Sequence, residues 1–574
     1  MSVGEVQATF CATLVDEWIR SGLTDAVVCP GSRSTPLALA VAGRPELRCH
    51  VRLDERGAGF FAVGLAMATG RPAVVVTTSG TAAVELHPAV VEAHQARVPL
   101  LACTADRPPS LHHVGAPQTI EQSGLFGPAV RWSCDPGLAV ERASGTWRAL
   151  AARAWAEASS GPDGPGPVHL NLAFDEPLWA EPGTLPEGRD AGAPHYVPRP
   201  PVVQLSAGAA GRWVSRRGLI VAGARCGPAT GVLTLAARLG WPVLADPRSG
   251  CRLDHPCVVG AADLLARSEA LRRAHLPEVV LLLGDPWTSK ALAGLVVEAR
   301  ASGAEVVAVD PWWRWVDPDR VVTEIHRVHP EEWLSSVSAD VGEGAADGPW
   351  LAGWQRAERA AQLAIDAVLA DAPRLSEPAI ARLLLGALPP GSTVVASSSM
   401  PVRELEWFAP PLAQSPRVLA NRGANGIDGV SATAQGVAAA GVGPVVGLLG
   451  DLAFLHDASS LVRPATPSPP TSCTLLVVDN DGGGIFEFLP QATAVDRHRF
   501  EQLFGTPQQT SVADVARGFG LPMADVNTAA ELTNALGDLV GRFPLAVVRA
   551  KVLGRRENVA LHQQLAEAVA AAVE

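Results

Sequence analysis

The stretch GDLAFLHD at residues 450–457, together with TLLVVDNDGGGIF at residues 474–486, decides the fold. The first follows the apolar run PVVGLL (444–449), and the second opens with an apolar run of its own. Continuous apolar runs of this kind are typical of strands buried on both faces of a parallel sheet. The pattern therefore predicts Asp451 and Asn480 at the carboxyl ends of two parallel strands, where open α/β sheets bind their ligands.

The side chains at these two strand ends suit a metal ion beside a diphosphate. A carboxylate and an amide supply the hard oxygen ligands that Mg²⁺ prefers. The three glycines at 482–484 allow the backbone to approach a phosphate closely. Two ordinary strand-to-helix turns are the alternative for either stretch alone, but their joint occurrence favours the metal and diphosphate site.

A similar alternation of strands and helices extends over the whole chain. The pattern predicts helices at 5–21, 55–69 and 80–96, and strands at 25–29, 48–52, 72–78, 98–103, 217–222, 278–283, 304–309, 393–397, 417–420, 444–449 and 473–478. A segment rich in Pro, Gly and Ala (181–205) and the low-complexity stretch GEGAADGPW (342–350) divide them. We therefore expect an α/β protein with three consecutive domains and mainly parallel sheets, at 1–185, 206–345 and 375–574.

Composition and charge exclude several classes of protein. The chain has 574 residues and a net charge of −12, and all but two of its 46 basic residues (Lys290 and Lys551) are arginine. An acidic chain is not a general nucleic-acid coat. No apolar run reaches the ~20 residues that span a bilayer, and the N-terminus is not typical of a signal peptide. Nine scattered cysteines without metal-ligand spacing favour a reducing, cytoplasmic location.

The paired stretches resemble the signature of thiamine diphosphate (ThDP) enzymes, which starts with Gly-Asp and ends near an Asn. Gly450-Asp451 and Asn480 match, whereas Leu452 replaces a common glycine. The resemblance implies ThDP with Mg²⁺ or Mn²⁺, the metal being bound by Asp451, Asn480 and Gly482. The implied contacts of the cofactor itself are Ser399, Gly450, Asp451, Leu452, Asn480, Gly482, Gly483 and Ile485.

ThDP enzymes also need a glutamate that hydrogen-bonds the aminopyrimidine ring of the cofactor. Glu55, in HVRLDERGAGFFAVGLAMATG (50–70), is the candidate. Periodicity alone favours a carboxylate at a helix start, a role that Asp54 could also fill. The resemblance instead implies that Glu55 is catalytic. In this family the glutamate meets the diphosphate site across a subunit interface, which implies a homodimer or homotetramer and leaves the choice between them open.

Further stretches narrow the resemblance to one family. The loop CPGSRSTPLALA (29–40) presents one cation and three hydroxyl groups before a helix, an anion-binding arrangement, although a capped helix start with an exposed arginine is the common alternative. With ADRPP (105–109), GAPQTIEQ (115–122), SSSMPVRELEWF (397–408) and NRGANGIDGVSATAQGVA (421–438), it closely resembles the 2-succinyl-5-enolpyruvyl-6-hydroxy-3-cyclohexene-1-carboxylate synthases of menaquinone biosynthesis. In the middle domain only TSKALAG (288–294) is similar to that family.

This resemblance implies decarboxylation of 2-oxoglutarate and 1,4-addition of the succinyl carbanion to isochorismate. Both substrates carry carboxylates, so the site needs cations and hydrogen-bond donors. The implied substrate residues are Ser32, Arg33, Arg107, Gln118, Lys290, Ser399, Arg403 and Arg422, with Ile485, Phe486 and Leu489 as an apolar wall. Met400 or Ile427 would lie beneath the cofactor and hold it bent, or would simply pack in the core.

Three alternatives stay open at this point. Another ThDP-dependent 2-oxoacid decarboxylase or an acetolactate synthase-like enzyme is the nearest, because His112-His113 resembles the histidine pair of pyruvate-decarboxylase-like enzymes; loop packing is the simpler interpretation of that pair. A non-catalytic binding protein is a more distant alternative. A nicotinamide oxidoreductase is also more distant, since LIVAGARCGPATG (219–231) lacks a clear GxGxxG. A regulatory site in the middle domain, at Arg272, Arg273 and Arg300, competes with a solvated surface.

Overall fold

The computed structural model describes residues 1–198, 211–285, 287–312, 316–341, 348–370, 374–464 and 471–574. Within these residues the strands form three six-stranded sheets, and neighbouring strands are parallel throughout. The predicted fold class, three α/β units in a row, is confirmed. No helix in the described part of the chain is long and apolar enough to cross a membrane.

The first unit has the strand order β2-β1-β3-β4-β6-β5. Its strands are β1 (Asp25–Val28), β2 (Arg48–Val51), β3 (Ala73–Thr77), β4 (Leu100–Asp106), β5 (Trp132–Cys134) and β6 (Pro167–Ala173). Its helices are α1 (Val3–Ser21), α2 (Thr35–Ala42), α3 (Glu55–Thr69), α4 (Thr81–Val84), α5 (His87–Ala96) and α6 (Trp147–Ser160). The single helix predicted at 80–96 is wrong, because Pro88 lacks an amide hydrogen and begins a new helix.

The middle unit has the order β12-β11-β10-β7-β8-β9, which is the doubly wound order of nucleotide-binding sheets. Its strands are β7 (Gly218–Ala222), β8 (Val243–Ala245), β9 (Val258–Val259), β10 (Val279–Leu283), β11 (Glu305–Val309) and β12 (Glu324–His326). Its helices are α7 (Ala229–Leu239), α8 (Ala262–Arg267), α9 (Glu269–Ala274), α10 (Lys290–Ala301) and α11 (Pro330–Asp340).

The third unit repeats the strand order of the first, as β14-β13-β15-β16-β18-β17. Its strands are β13 (Thr393–Ala396), β14 (Arg417–Ala420), β15 (Val445–Gly450), β16 (Cys473–Asp479), β17 (Met523–Val526) and β18 (Leu545–Lys551). After the connecting helix α12 (Pro349–Ala370), its helices are α13 (Glu377–Ala387), α14 (Met400–Phe408), α15 (Val430–Ala439), α16 (Asp451–His456), α17 (Gln491–Ala494), α18 (Arg497–Phe500), α19 (Val512–Gly518), α20 (Ala529–Leu539) and α21 (Arg555–Val573).

Helices α3 and α15 join the first unit to the third at a very close crossing. A Cβ on Gly64 would lie 2.2 Å from the carbonyl oxygen of Thr433, and one on Gly436 would lie 2.0 Å from that of Phe61. Only glycine permits such an approach of two helix backbones. The middle and third units share one apolar core, to which α8, α12, α14 and α21 all contribute.

The predicted boundary segments are only partly described. Residues 181–198 pack along the first unit, where Arg148 Nε donates to the carbonyl oxygen of Pro186 at 2.9 Å. Residues 199–205 and 342–347 lie outside the described residues. The domain limits at 185, 206, 345 and 375 therefore stay predictions.

Candidate active site

The carboxyl ends of β13, β15 and β16 surround a cavity of about 390 Å³ in the third unit. Most of the predicted cofactor and substrate residues of this unit line it: Ser399, Met400, Arg403, Arg422, Ile427, Gly450, Asp451, Leu452, Asn480, Gly482, Gly483, Ile485 and Phe486. The two stretches that open the sequence analysis thus converge, as the parallel sheet predicts.

Asp451 begins α16 and is nearly buried beside the glycine loop. Its Oδ1 accepts from the amide of Leu452 at 2.7 Å, and its Oδ2 accepts from the amide of Gly482 at 2.8 Å. Burial raises the pKa of Asp451 to about 7, and the carboxylates of Asp479 and Asp481 act in the same direction. A buried carboxylate in this position gains stability from a nearby cation.

Asn480 presents an acceptor without a partner. Its Nδ2 donates to Oε1 of Glu377 at 2.8 Å, whereas its buried Oδ1 has no hydrogen-bond partner among the described residues. An orphaned amide oxygen close to a buried carboxylate fits a divalent cation with oxygen ligands. Among the described residues no group of three His, Cys, Asp or Glu could hold a metal alone. A cation here would therefore also need backbone and diphosphate oxygens.

The glycine loop is shaped by a neighbouring turn of π-helix at Glu501–Gly505. Gly482 has φ +124°, and a Cβ there would lie 2.0 Å from the carbonyl oxygen of Gly505. The amide of Gly483 donates to that same oxygen at 2.7 Å. Only glycine fits at position 482, so the backbone itself lines this side of the cavity.

Two arginines in the cavity wall are poorly solvated. Arg403 Nη1 donates to the carbonyl oxygen of Ser399 at 2.6 Å, and Arg422 Nη1 lies 3.4 Å from Oγ of Ser398. Burial lowers the pKa of both, that of Arg422 to about 10, and Arg248 and Arg403 add to the shift at Arg422. Two half-buried cations in one cavity wall favour an anionic ligand.

Lys290 of the middle unit and Leu489 of the third unit are predicted substrate residues that lie outside the lining of the cavity. Lys290 is exposed at the start of α10, although its neighbour Ser289 donates its amide to Glu406 of α14 at 3.2 Å. Leu489 follows the short 3₁₀ helix Gly484–Phe488 that carries Ile485 and Phe486. Met400 and Ile427 do line the cavity, Met400 being almost fully buried, so both interpretations of this pair stay open.

The first unit carries the remaining candidates. Glu55 is the first residue of α3 and is half-buried, and burial raises its pKa, with Asp54 and Glu85 adding to the shift. Asp54 is the N-cap of α3, accepting from the amides of Arg56 at 3.0 Å and Gly57 at 3.3 Å. Capping therefore occupies Asp54 and leaves the carboxyl group of Glu55 available.

Arg33 and Arg107 lie near each other in this unit. Arg33 donates to the carbonyl oxygen of Phe174 at 3.0 Å, and its buried Nε has no partner among the described residues. Arg107 donates to Oγ of Ser79 and to the carbonyl oxygen of Gln118. Burial, followed by the charge of Arg33, lowers the pKa of Arg107. The exposed Ser32 precedes Arg33 in the same loop.

The two groups of candidates lie in different units of the chain. The described residues that line the third-unit cavity all belong to that unit, and Glu55, Arg33, Arg107 and Gln118 are not among them. The third-unit cavity and the first-unit group are therefore two candidate half-sites.

The other open assignments can also be placed in the structure. His112 Nε2 lies 3.1 Å from the carbonyl oxygen of Arg107, and His113 is largely exposed, which fits loop packing. In the middle unit Arg272 pairs with Glu298 at 2.9 Å and Arg273 with Glu269, as on a solvated surface.

Buried side chains that support the site were not found from the sequence. Glu377 contacts Asn480, and Glu92 of α5 accepts from the amides of Gly423 and Ala424 at 2.7 Å each. Arg252 caps the end of α14 through the carbonyl oxygens of Leu405, Glu406 and Ala409 at 2.7–2.8 Å. All three sit in ordinary amphipathic or loop sequence, so no local pattern marks them.

Comparisons with known proteins agree with this geometry. The model of the N-terminal binding domain of thiamine pyrophosphate enzymes (thiamine pyrophosphate is another name for ThDP) matches residues 9–125. The model of the middle domain of thiamine pyrophosphate enzymes matches residues 201–394.

Curated relatives match over nearly the whole chain. One from Thermobifida fusca is 43% identical and covers 98% of this chain and 98% of its own length. One from Chloroflexus aurantiacus is 43% identical over 89% of this chain and 88% of its own length. One from Bacillus velezensis is 37% identical over 97% of both. Each is named 2-succinyl-5-enolpyruvyl-6-hydroxy-3-cyclohexene-1-carboxylate synthase. With this identity over almost its full length, the chain belongs to that family of ThDP-dependent enzymes.

Proposed function

We propose that this protein joins 2-oxoglutarate, with loss of CO₂, to isochorismate in a 1,4-addition. The product is 2-succinyl-5-enolpyruvyl-6-hydroxy-3-cyclohexene-1-carboxylate, an intermediate of menaquinone biosynthesis. The observation that carries the proposal is the pair Arg403 and Arg422, half-buried in the wall of a cavity whose other residues suit ThDP. The carboxylates of the two substrates would pair with these arginines.

The cofactor would be held by the third unit. Asp451, Asn480 and the backbone at Gly482 would bind Mg²⁺ or Mn²⁺, and the glycine loop would bind the diphosphate. When bound, ThDP supplies the carbanion chemistry that lets a 2-oxoacid lose CO₂. Glu55 would hydrogen-bond the aminopyrimidine ring and hold the proton there.

Glu55 would come from a second copy of the chain. The half-sites favour this arrangement, since Glu55 does not line the cavity of its own third unit. Arg33, Arg107 and Gln118 would then bind substrate carboxylates from the same side as Glu55. A homodimer and a homotetramer both satisfy this requirement.

The location would be the cytoplasm. All nine cysteines are free thiols, seven of them buried, which suits a reducing compartment.

An ultraviolet assay tests the reaction. The protein is mixed with ThDP, Mg²⁺, 2-oxoglutarate and isochorismate, and the loss of isochorismate is followed while each component is omitted in turn. We expect the loss only in the complete mixture. Release of CO₂ from pyruvate, without any use of isochorismate, would instead identify another 2-oxoacid decarboxylase or an acetolactate synthase-like enzyme.

The Glu55→Gln variant tests the assignment of the glutamate. Turnover should fall by about 100-fold or more, as for the loss of a positioned acid or base. Binding of ThDP, measured by calorimetry, should persist. Unchanged turnover would show that another group performs this role.

A further inference from the structure

The side-chain amide of Asn480 can present either its oxygen or its NH₂ group to the proposed metal ion. Its oxygen and its NH₂ group have nearly the same size and shape, but only the oxygen attracts a cation. A side chain amide keeps one orientation only where its hydrogen-bond partners impose it. In this structure Nδ2 points to Glu377, and Oδ1 is the buried end without a partner among the described residues.

Glu377 is well placed to impose that orientation. It is the first residue of α13, its side chain is almost fully buried, and its Oε1 lies 2.8 Å from Nδ2 of Asn480. A carboxyl group keeps an acceptor oxygen whether or not it is ionised, so the contact persists in both states. Opposite it, Gly484 leaves room for the amide, since a Cβ there would lie 2.5 Å from Nδ2.

Glu377 lines the candidate cavity, and its described contact there is with Asn480. Among the described residues its side chain forms no ion pair, and its one hydrogen bond is the contact with Asn480. Its buried neighbours Glu404 of α14 and His562 of α21 lie 2.9 Å from each other through Oε1 and Nε2. Burial of a carboxyl group disfavours folding unless a partner offsets it, so this carboxyl group is expected to serve Asn480.

We propose that Glu377 is a positioning residue that fixes the amide of Asn480 with its oxygen toward the cofactor's divalent cation. The inference rests on the proposed function, because it takes Asn480 as a metal ligand. Partners behind a metal ligand typically change metal affinity by 10- to 100-fold when they are removed.

The test measures Mg²⁺ affinity in the full-length protein. Mg²⁺ is titrated at saturating ThDP and followed by tryptophan fluorescence, without any turnover. Glu377→Met removes the acceptor but keeps the shape, and it should weaken Mg²⁺ binding by about 10-fold or more. Glu377→Gln keeps the contact only when its own amide oxygen faces Asn480, so its Mg²⁺ affinity should fall between those of the wild type and Glu377→Met. A folded Glu377→Met protein with wild-type Mg²⁺ affinity would overturn the inference.

A second comparison separates orientation from general structural damage. Asn480→Asp replaces the amide by a carboxylate, which presents an oxygen in either orientation. Adding Glu377→Met to this variant should therefore cause no further loss of Mg²⁺ affinity. A further 10-fold loss would overturn the inference. This pair decides the question even if Glu377→Met alone does not fold.

Different results would show that the proposed function, rather than the role of Glu377, is wrong. If the wild type binds ThDP equally well without a divalent cation, or if Asp451→Ala leaves Mg²⁺ affinity unchanged, the metal site itself is wrong and the inference falls with it. If both behave as expected and Glu377→Met still binds Mg²⁺ normally, only the role of Glu377 is wrong.

Discussion

Buried charges of opposite sign face the same cavity. Burial raises the pKa of Asp451 to about 7 and lowers that of Arg422 to about 10, so the charged form of each is disfavoured in the free protein. A divalent cation beside Asp451 and a carboxylate beside Arg422 would each stabilise the charged form. The cavity is thus suited to bind a cation beside Asp451 and an anion beside Arg422.

Replacing Arg422 by lysine tests the substrate contact. Lysine keeps the charge but loses the bidentate geometry that orients a carboxylate. The loss of one charge-assisted hydrogen bond, roughly 1.5–3 kcal/mol, corresponds to about a 10- to 100-fold fall in kcat/KM. Steady-state kinetics with both substrates measures it, and ThDP affinity should stay unchanged. Arg300→Lys on exposed α10 is the matched control, and an equal effect there would contradict the role of Arg422.

The burial of the His169 imidazole predicts how the free energy of unfolding depends on pH. It lies buried in β6, with Nε2 2.8 Å from Oγ1 of Thr104, and burial lowers its pKa to about 4. Its contribution to stability is therefore complete above pH 6.5 and is lost as the pH falls toward 4, by roughly 3 kcal/mol.

Thermal unfolding between pH 7 and pH 4 measures this contribution. In His169→Gln the difference in melting temperature between the two pH values should shrink, because no imidazole is left to protonate. The exposed His113→Gln should melt as the wild type does at each pH. Identical pH profiles of His169→Gln and wild type would contradict the assignment.

The positions of candidate ligands were easier to predict than those of the residues around them. Asp451 and Asn480 could be placed at strand ends because each follows an apolar strand. Glu377 and Glu92 act by contacts between segments distant in sequence, 103 and 331 positions apart. Such contacts produce no periodic pattern in the amino-acid sequence.

At the scale of elements, α5 holds the loop that carries Arg422. The two carboxylate oxygens of Glu92 each accept a loop amide at 2.7 Å, from Gly423 and Ala424. The loop between β14 and α15 is therefore fixed from outside its own unit, by a helix of the first unit.

Glu92→Gln should loosen that loop. Glutamine offers one acceptor oxygen and one NH₂ group, so one loop amide is left facing a donor, at about 1–3 kcal/mol. Hydrogen exchange over 421–428 should become faster, and KM should rise more than kcat falls. Glu567→Gln, an exposed change on α21, is the control. Unchanged exchange in Glu92→Gln would show that the loop does not depend on this contact.

Most uninterrupted apolar strands were predictable, whereas β18, which charged residues interrupt at Arg549 and Lys551, was not. The strands at 25–29, 72–78, 444–449 and 473–478 match the structure closely. β6 was missed because His169 and Asn171 interrupt its apolar run, and β9 has only two residues. Edge strands such as β5 and β12 are too short to show a period.

At the scale of the whole molecule, the proposed pairing of half-sites from two chains makes activity depend on assembly. Glu55 and Asp451 would act together only when they come from different copies. A chain that lacks one of them can still donate the other.

Mixing two inactive variants tests this directly. Glu55→Gln and Asp451→Ala should each be inactive alone. After dissociation and random reassociation of equal amounts, half of the dimers combine both variants, and each such dimer has one intact site, so about a quarter of wild-type activity should return. Size-exclusion chromatography controls for assembly. No recovery from properly mixed dimers would place the whole site within one chain.

The glycine crossing of α3 and α15 predicts how a substitution in one chain would affect both catalytic centres of a dimer. Because α3 starts at Glu55 and α15 follows the loop of Arg422, one crossing would support parts of two different catalytic centres in the proposed dimer. A bulky residue at Gly64 or Gly436 would thus disturb both centres of a mixed dimer, even when only one copy is altered. Such a substitution would act as a dominant defect, whereas a change at Arg422 alone would spare the centre built on the other chain.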